Sequence, residues 1–313
     1  MALIKEIQIT EIEGLRIGNA QNKEAKTGVT VLLFEEGARV GADISGGGPA
    51  SRETPLTSPV TADNPINAIV LSGGSAYGLA AGDGVMRYLE EHGIGFDTGF
   101  AKVPLVCQSC IYDLGFGRAD IRPDADMGYA ACADAQRNCP TGGSVGGGTG
   151  ATVGKLCGME RSMKAGLGIY AVALGSLRMA AIVVVNALGD IFDPKTGQKI
   201  AGLRTEDGGG FADTCEELYK ISRRKDLFTG NTTIGAIVTN GRFSKAELNK
   251  IASMTRCAYA RCIRPVGTMA DGDSIYAASI GETEADINVA GTLAADVMAE
   301  AIQRAVRAAG REG

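Results

Sequence analysis

Apolar residues in this chain gather into short β-branched runs: Val29 to Phe34, Ala68 to Leu71, Ile169 to Leu174, Ala180 to Val185, Ile234 to Val238 and Ile275 to Ala278. Runs of this length suit strands buried on both faces, because a half-buried strand alternates and a buried helix needs a longer run. Between them the pattern becomes that of amphipathic helices at Leu79 to Glu91, Met127 to Gln136 and Ala246 to Cys262. The last is preceded by Ser244-Lys-Ala-Glu247, a capping-box pattern in which each end satisfies the other's backbone N–H. A final helix places Ala290, Leu293, Ala294, Val297, Met298, Ala301, Ile302 and Ala305 on one face. Strands and helices interleaved in this way predict an α/β or α+β fold. There is no internal repeat and no long low-complexity linker, so one domain over residues 1–313 is expected. The polar stretch from Gly202 to Gly230, with Arg223-Arg224-Lys225, reads as an exposed connector.

Glycine punctuates this pattern, with 45 residues clustered at Gly46 to Gly48, Gly73 to Gly74, Gly142 to Gly150 and Gly208 to Gly210. Such clusters mark tight turns and close backbone approaches. Neither glycine motif that resembles a nucleotide site survives inspection. In Thr149-Gly-Ala-Thr-Val-Gly154-Lys155-Leu156, Thr149 replaces the first glycine of a phosphate loop and Leu156 the magnesium-binding hydroxyl. Gly146 to Ala151 fits a dinucleotide fingerprint only because the run is glycine-dense, and no clear strand precedes it.

The charge balance removes further classes. A net charge of −5, with no stretch interleaving Lys or Arg with aromatics, argues against nucleic acid as a partner. The most apolar region, Ala165 to Ile191, is broken by Arg178, Asn186 and several glycines, so neither piece reaches the roughly 18 residues a membrane helix needs. The first residues meet charge at Lys5 and lack the apolar stretch of a secretory signal. Eight cysteines are then expected as reduced thiols of a cytoplasmic protein. Cys107 and Cys110 form a lone C-x-x-C with no second pair or histidine to complete a zinc set, so no metal and no cofactor are expected.

The single histidine, His92, lies in Leu-Glu-Glu-His-Gly, a helix end with Gly93 as its left-handed cap. Read structurally, it leaves no histidine for Ser-His-Asp, Cys-His or H-E-x-x-H chemistry. Any hydrolytic base must come from elsewhere. Gly230-Asn231-Thr232-Thr233-Ile234 offers one source, because it puts a hydroxyl residue at the start of an apolar strand after a small Gly-Asn pair. If the Thr232 hydroxyl attacks the preceding carbonyl and the ester is hydrolysed, the freed α-amine, with a reference pKa of roughly 7.7–8.0, becomes the base for its own hydroxyl. The same residues also read as an ordinary turn into a β-branched strand, or as an N-glycosylation sequon.

Nine ordered stretches bear on that choice: Gly14-Leu-Arg-Ile-Gly-Asn19, Thr27-Gly-Val-Thr-Val, Gly46-Gly-Gly-Pro-Ala-Ser-Arg-Glu-Thr54, Leu71-Ser-Gly-Gly-Ser-Ala-Tyr-Gly-Leu79, Tyr112-Asp-Leu-Gly, Gly150-Ala-Thr-Val-Gly-Lys155, Val183-Val-Val-Asn186, Asn231-Thr-Thr-Ile and Asp271-Gly-Asp273. Through them the chain resembles the L-aminopeptidase/D-esterase family of self-processing hydrolases, which includes β-peptidyl aminopeptidases and nylon-oligomer amidases. The resemblance implies a four-layer αββα sandwich like that of N-terminal nucleophile hydrolases, and cleavage between Asn231 and Thr232 into fragments 1–231 and 232–313. Thr232, the first hydroxyl residue of its motif, would be the nucleophile rather than Thr233.

Further roles are implied position by position. Asn186, otherwise a strand-end turn residue, would stabilise an oxyanion through its amide. Asp271 and Asp273, otherwise a surface turn around Gly272, would hold the new ammonium and the Thr232 hydroxyl. Lys155 would stabilise negative charge or orient the nucleophile, where the bland alternative is a solvated lysine. Tyr112 would donate a hydrogen bond in the pocket, where the alternative is a core aromatic. The implied substrates are short peptides with a free N-terminus and amino-acid amides or esters, including β- or D-configured ones. The implied assembly is a tetramer of processed protomers. Two departures affect the pocket: Cys107-Gln-Ser-Cys110 stands where relatives have apolar residues, and Asn19 where a histidine often stands. An acetyltransferase of the related ornithine acetyltransferase type, and an uncleaved small-molecule-binding protein on the same scaffold, are the competing expectations.

Overall fold

A computed structural model of the chain describes residues 3–221 and 230–310. The strands of its large sheet are β1 (Ile4–Glu6), β2 (Arg16–Asn22), β3 (Thr27–Ile44), β4 (Ala50–Arg52), β5 (Ile66–Ser72), β6 (Val106–Cys110), β7 (Leu167–Leu174), β8 (Leu177–Asn186), β9 (Thr232–Gly241) and β10 (Ser274–Thr283). Four helices pack on them: α1 (Ala81–Glu91), α2 (Ala125–Ala135), α3 (Lys245–Cys262) and α4 (Ile287–Ala309). The strand order is β1-β7-β8-β9-β10-β3-β5-β6-β4, with β2 also on β3. Among the described residues only β9 with β10 and β5 with β6 are parallel strand pairs.

The long strand β3 joins two sheets. Its first part pairs with β2 and β5, its last part, from Arg39, pairs with β10, and the β5 ladder slips register between Leu33 and Ala38. A slip of this kind bends a strand and lets the two halves serve different layers.

Alternation along the strands then builds four layers. In β8, Met179, Ala181, Val183 and Val185 pack under α4 in the outer core, while Ala180, Ile182 and Val184 face the gap between the sheets. In β5, Ile69 and Leu71 fill that gap from the other side, while Ala68 and Val70 meet α1 and α2. Successive side chains point to opposite faces, so strands covered on both sides must be apolar throughout, as the short runs are. The result is the α+β fold in an αββα arrangement. The helix face of α4 expected from Ala290 through Ala305 is the one buried in the outer core. Ser244 and Glu247 form the reciprocal cap of α3, with Ser244 N–H donating to Glu247 Oε2 at 2.8 Å.

Ile182 lies fully buried between the sheets. Ile182→Ala is expected to cost about 3 kcal/mol in urea unfolding, within the usual range for a buried Ile truncated where the walls cannot collapse.

The expected connector is exposed from Glu206 to Phe211. It is anchored on either side to buried Asp190, which accepts from Leu203 N–H at 2.8 Å, from Thr214 N–H at 3.0 Å and from the Thr214 hydroxyl at 2.7 Å, and pairs with Lys199 at 2.7 Å. A short helix, Thr214–Tyr219, follows. The Arg223-Arg224-Lys225 stretch lies outside the described residues. Among the described residues no helix is long and apolar enough to cross a membrane.

Candidate active site

Three strand ends meet at one point of the large sheet. The antiparallel ladder pairs Asn186, the last residue of β8, with Thr232, the first of β9. The parallel neighbour β10 starts beside them, and Asn231 bridges Asp271 just before the two strands begin. Ile234, Ala236 and Val238 face the gap between the sheets, so by alternation Thr232 faces it too and Thr233 turns toward the helices. Both threonines are buried.

The Thr232 hydroxyl donates to the carbonyl oxygen of Asn231. The Gly272 N–H donates to the same oxygen at 3.1 Å. The hydroxyl therefore sits against the carbonyl of its own preceding peptide bond, with a backbone donor already on the oxygen that would gain charge under attack. Gly272 must be glycine for this approach: a Cβ there would lie 3.0 Å from Thr232 Oγ1 and 2.8 Å from the Gly48 carbonyl oxygen.

Lys155 is buried, and its Nζ donates to Asn186 Oδ1 at 2.8 Å, to the Asn186 carbonyl at 3.0 Å and to the Gly230 carbonyl at 3.2 Å. Asn186 Nδ2 in turn donates to the Tyr112 carbonyl at 3.0 Å and the Gly230 carbonyl at 3.3 Å. The amide of Asn186 thus engages the carbonyl one residue before Asn231. Thr152 N–H, donating at 3.0 Å to Asn186 Oδ1, fixes which end of the amide faces which partner.

The two aspartates are buried rather than displayed on a surface turn. Asp273 Oδ1 accepts the Thr233 N–H at 2.7 Å and Oδ2 the Gly267 N–H at 3.2 Å. Asp271 Oδ2 accepts from the Thr268 hydroxyl at 2.6 Å and N–H at 2.9 Å. Burial, then the negative charge of Asp271, pushes the Asp273 carboxyl up to about 7. Burial also raises Asp271. It pushes the Lys155 ammonium down to about 7, against the pull of Asp271 and Asp113. An acid and a base brought to neutrality from opposite directions in one buried cluster is the electrostatic pattern of a proton-transfer site.

Tyr112 is half-buried, and its ring lies against Gly230, whose φ is 63° and whose added Cβ would meet the ring at 2.0 Å. Tyr112, Phe116, Thr152, Lys155, Leu156 and Met159 line a cavity of about 260 Å³ beside the cluster. The residues named in the sequence are therefore brought together: Thr232, Asn186, Lys155, Asp271, Asp273 and Tyr112 all border Gly230 to Thr233 or the groups holding them. His92 lies apart, stacked on Tyr88 at the end of α1 with its Nδ1 2.7 Å from the Tyr88 carbonyl. Cys107 and Cys110 are buried, and burial pushes both thiols up to about 12. The groups missed from sequence are backbone ones: the Gly272 N–H and the Gly230 carbonyl.

Residues 8–312 match peptidase family S58. The chain belongs to peptidase family S58. This S58 peptidase is 35% identical to an uncharacterized aminopeptidase of Mycobacterium leprae, over 96% of this chain and 90% of that one. It is 31% identical to a 6-aminohexanoate-oligomer endohydrolase of Kocuria sp., over 95% of this chain and 85% of that one. Its fold matches an L-aminopeptidase D-Ala-esterase/amidase of Ochrobactrum anthropi, described as a variant of the Ntn hydrolase fold, with a TM-score of 0.69 at 16% identity over 96% and 86% of the two chains. The S58 protein is a hydrolase of peptide or amide bonds.

Proposed function

We propose that this S58 hydrolase activates itself by cleaving the Asn231–Thr232 bond and then uses Thr232 as nucleophile on short amides and peptides. The observation that carries the reading is the Thr232 hydroxyl set against the Asn231 carbonyl, with the Gly272 N–H on its oxygen. Attack of Oγ on that carbonyl carbon transfers the acyl group from nitrogen to oxygen, the nitrogen takes up a proton, and water splits the ester. The new α-amine then deprotonates the adjacent hydroxyl for substrate attack, and a second water releases the acyl-enzyme. Departure of the 230–231 end frees Asn186 Nδ2 and Lys155 Nζ, the donors that hold the Gly230 carbonyl, for substrate oxygens. Asp271 and Asp273 remain to hold the new ammonium.

The fragments 1–231 and 232–313 stay together by shared structure. β9 keeps its ladder to β8, β10 its ladder to β3, α3 its packing on β3, and α4 its packing on β7 and β8. The amide chemistry of the 6-aminohexanoate-oligomer relative and the aminopeptidase relatives supports linear amides and short peptides as substrates. We also place the enzyme in the cytoplasm as a tetramer of processed protomers, by family analogy.

The intact mass of the purified protein, with N-terminal sequencing of its smaller fragment, tests the reading. A fragment starting Thr232-Thr-Ile-Gly is the expected result, and a single chain persisting after long incubation would overturn self-activation. Gly230→Ala introduces both the ring clash and a strained positive φ. It is expected to slow appearance of the fragment by at least about tenfold, roughly 1.4 kcal/mol of barrier, in a time course of freshly made protein.

A further inference from the structure

A second cavity, of about 530 Å³, lies beside the first. Phe116 lines both, and Thr149 borders the second where Thr152 borders the first. Three residues of chain span at most about 10 Å, so the two spaces are close neighbours along one wall.

The second cavity is basic. Lys23, Lys26 and Lys164 line it, with Ser144 and Thr149 as neutral polar groups. The nearest acid in the Lys23–Lys26 turn, Glu24, is engaged by Arg118 at 3.1 Å. Among the described residues neither Lys23 nor Lys26 makes an ion pair. Lys164 Nζ is fixed by the Gly148 and Ala151 carbonyls at 2.9 and 3.1 Å and lies 6.0 Å from the Phe116 ring centroid. The turn is built rather than loose: Asn22 Oδ1 caps it by accepting from Ala25 N–H at 2.8 Å. Lys26 is held at φ 56°, a left-handed conformation uncommon for a lysine. Its Cβ would stand 2.7 Å from a Cβ on Gly117, so its stem is seated on the residue after Phe116.

We propose that this basic cavity is a subsite for a carboxylate of the substrate, so that the enzyme prefers amides carrying a free carboxylate away from the bond it cuts. The inference rests on the reading of Thr232 as nucleophile for the position of the scissile bond. In the first cavity Lys155 stays tied to Asn186 and, once the Gly230 carbonyl departs, faces the carbonyl under attack, so a remote carboxylate of the substrate needs a separate cationic site.

The test compares a short linear oligoamide of an ω-amino acid ending in a free carboxylate with the same oligoamide ending in a carboxamide. In the native enzyme the kcat/KM ratio is expected to favour the carboxylate by about tenfold, and in the double variant Lys23→Gln/Lys26→Gln to fall to about 1, as two exposed ion pairs allow at most. A native ratio near 1, or one that survives the double substitution, would overturn the proposal. Calorimetric titration with adipate separates this from the chemistry. Adipate binding lost in the double variant supports the subsite even if neither amide is hydrolysed, in which case the nucleophile assignment alone fails. Absence of adipate binding, or equal displacement by inorganic phosphate, sinks the carboxylate subsite whatever the hydrolysis shows.

Discussion

Thr232→Ala is expected to leave the chain whole and to lower amide hydrolysis by at least about 10³-fold, the scale on which removal of a covalent nucleophile is felt. The substitution removes the hydroxyl that donates to the Asn231 carbonyl but leaves the Gly272 N–H on that oxygen, so the geometry of the bond is kept and only the attacking atom is lost. The adjacent threonine is the control that a generic packing effect would not pass. Thr233 has a buried Oγ with no hydrogen-bond partner among the described residues, and its contribution at the site is its backbone N–H to Asp273. Thr233→Ala keeps that N–H and is expected to self-cleave and hydrolyse within about threefold of the native rate, since the lost hydroxyl makes no bond. Intact mass over time, followed by an amide hydrolysis assay, reads both variants. Cleavage persisting in Thr232→Ala and lost in Thr233→Ala would move the nucleophile by one residue.

That one-residue distinction shows where sequence suffices and where it stops. Runs such as Ala180 to Val185 and the face from Ala290 to Ala305 announce strands and a helix because burial on both sides demands unbroken apolar character. The far half of β3 gives no such signal: Glu35, Glu36, Arg39 and Asp43 interrupt it, and its strand character comes from pairing with β10. Thr232 follows from the resemblance, and the alternation set by Ile234 independently turns its side chain to the gap between the sheets. Lys155 reads from sequence equally as a surface lysine, since its burial depends on Asn186 and Gly230, which lie 31 and 75 residues away in the chain. Backbone donors and acceptors such as the Gly272 N–H leave no mark beyond the glycine itself. The polar stretch after Gly202 is exposed from Glu206 to Phe211 as it reads, and what its composition does not announce is that Leu203 and Thr214 on either side close onto one buried carboxylate, Asp190.

The pH dependence of self-cleavage isolates the buried cluster, because the precursor has no free α-amine at Thr232. Asp273 and Lys155 both titrate at about 7, one raised and one lowered by burial. Proton loss from Asp273 supplies a base near the Thr232 hydroxyl, so the rate is expected to rise about tenfold from pH 6 to pH 8 and to level off above. The same shifts set stability in adjoining windows. Asp273 binds its proton more tightly in the fold than in the unfolded chain, where its pKa is about 3.9, so its contribution is lost as pH rises from about 4 through about 7. Lys155 binds its proton less tightly in the fold than its unfolded value of about 10.4, so its contribution is gained only as pH rises from about 7 toward 10. Together these two groups contribute least to stability near neutrality. Asp273→Asn keeps an oxygen to accept the Thr233 N–H while removing the charge, and is expected to slow self-cleavage at pH 8 by at least about 100-fold and to abolish the rise through pH 7. Measured as fragment appearance against pH, a native-like profile in this variant would assign the titration to Lys155, and Lys155→Met would then have to flatten it.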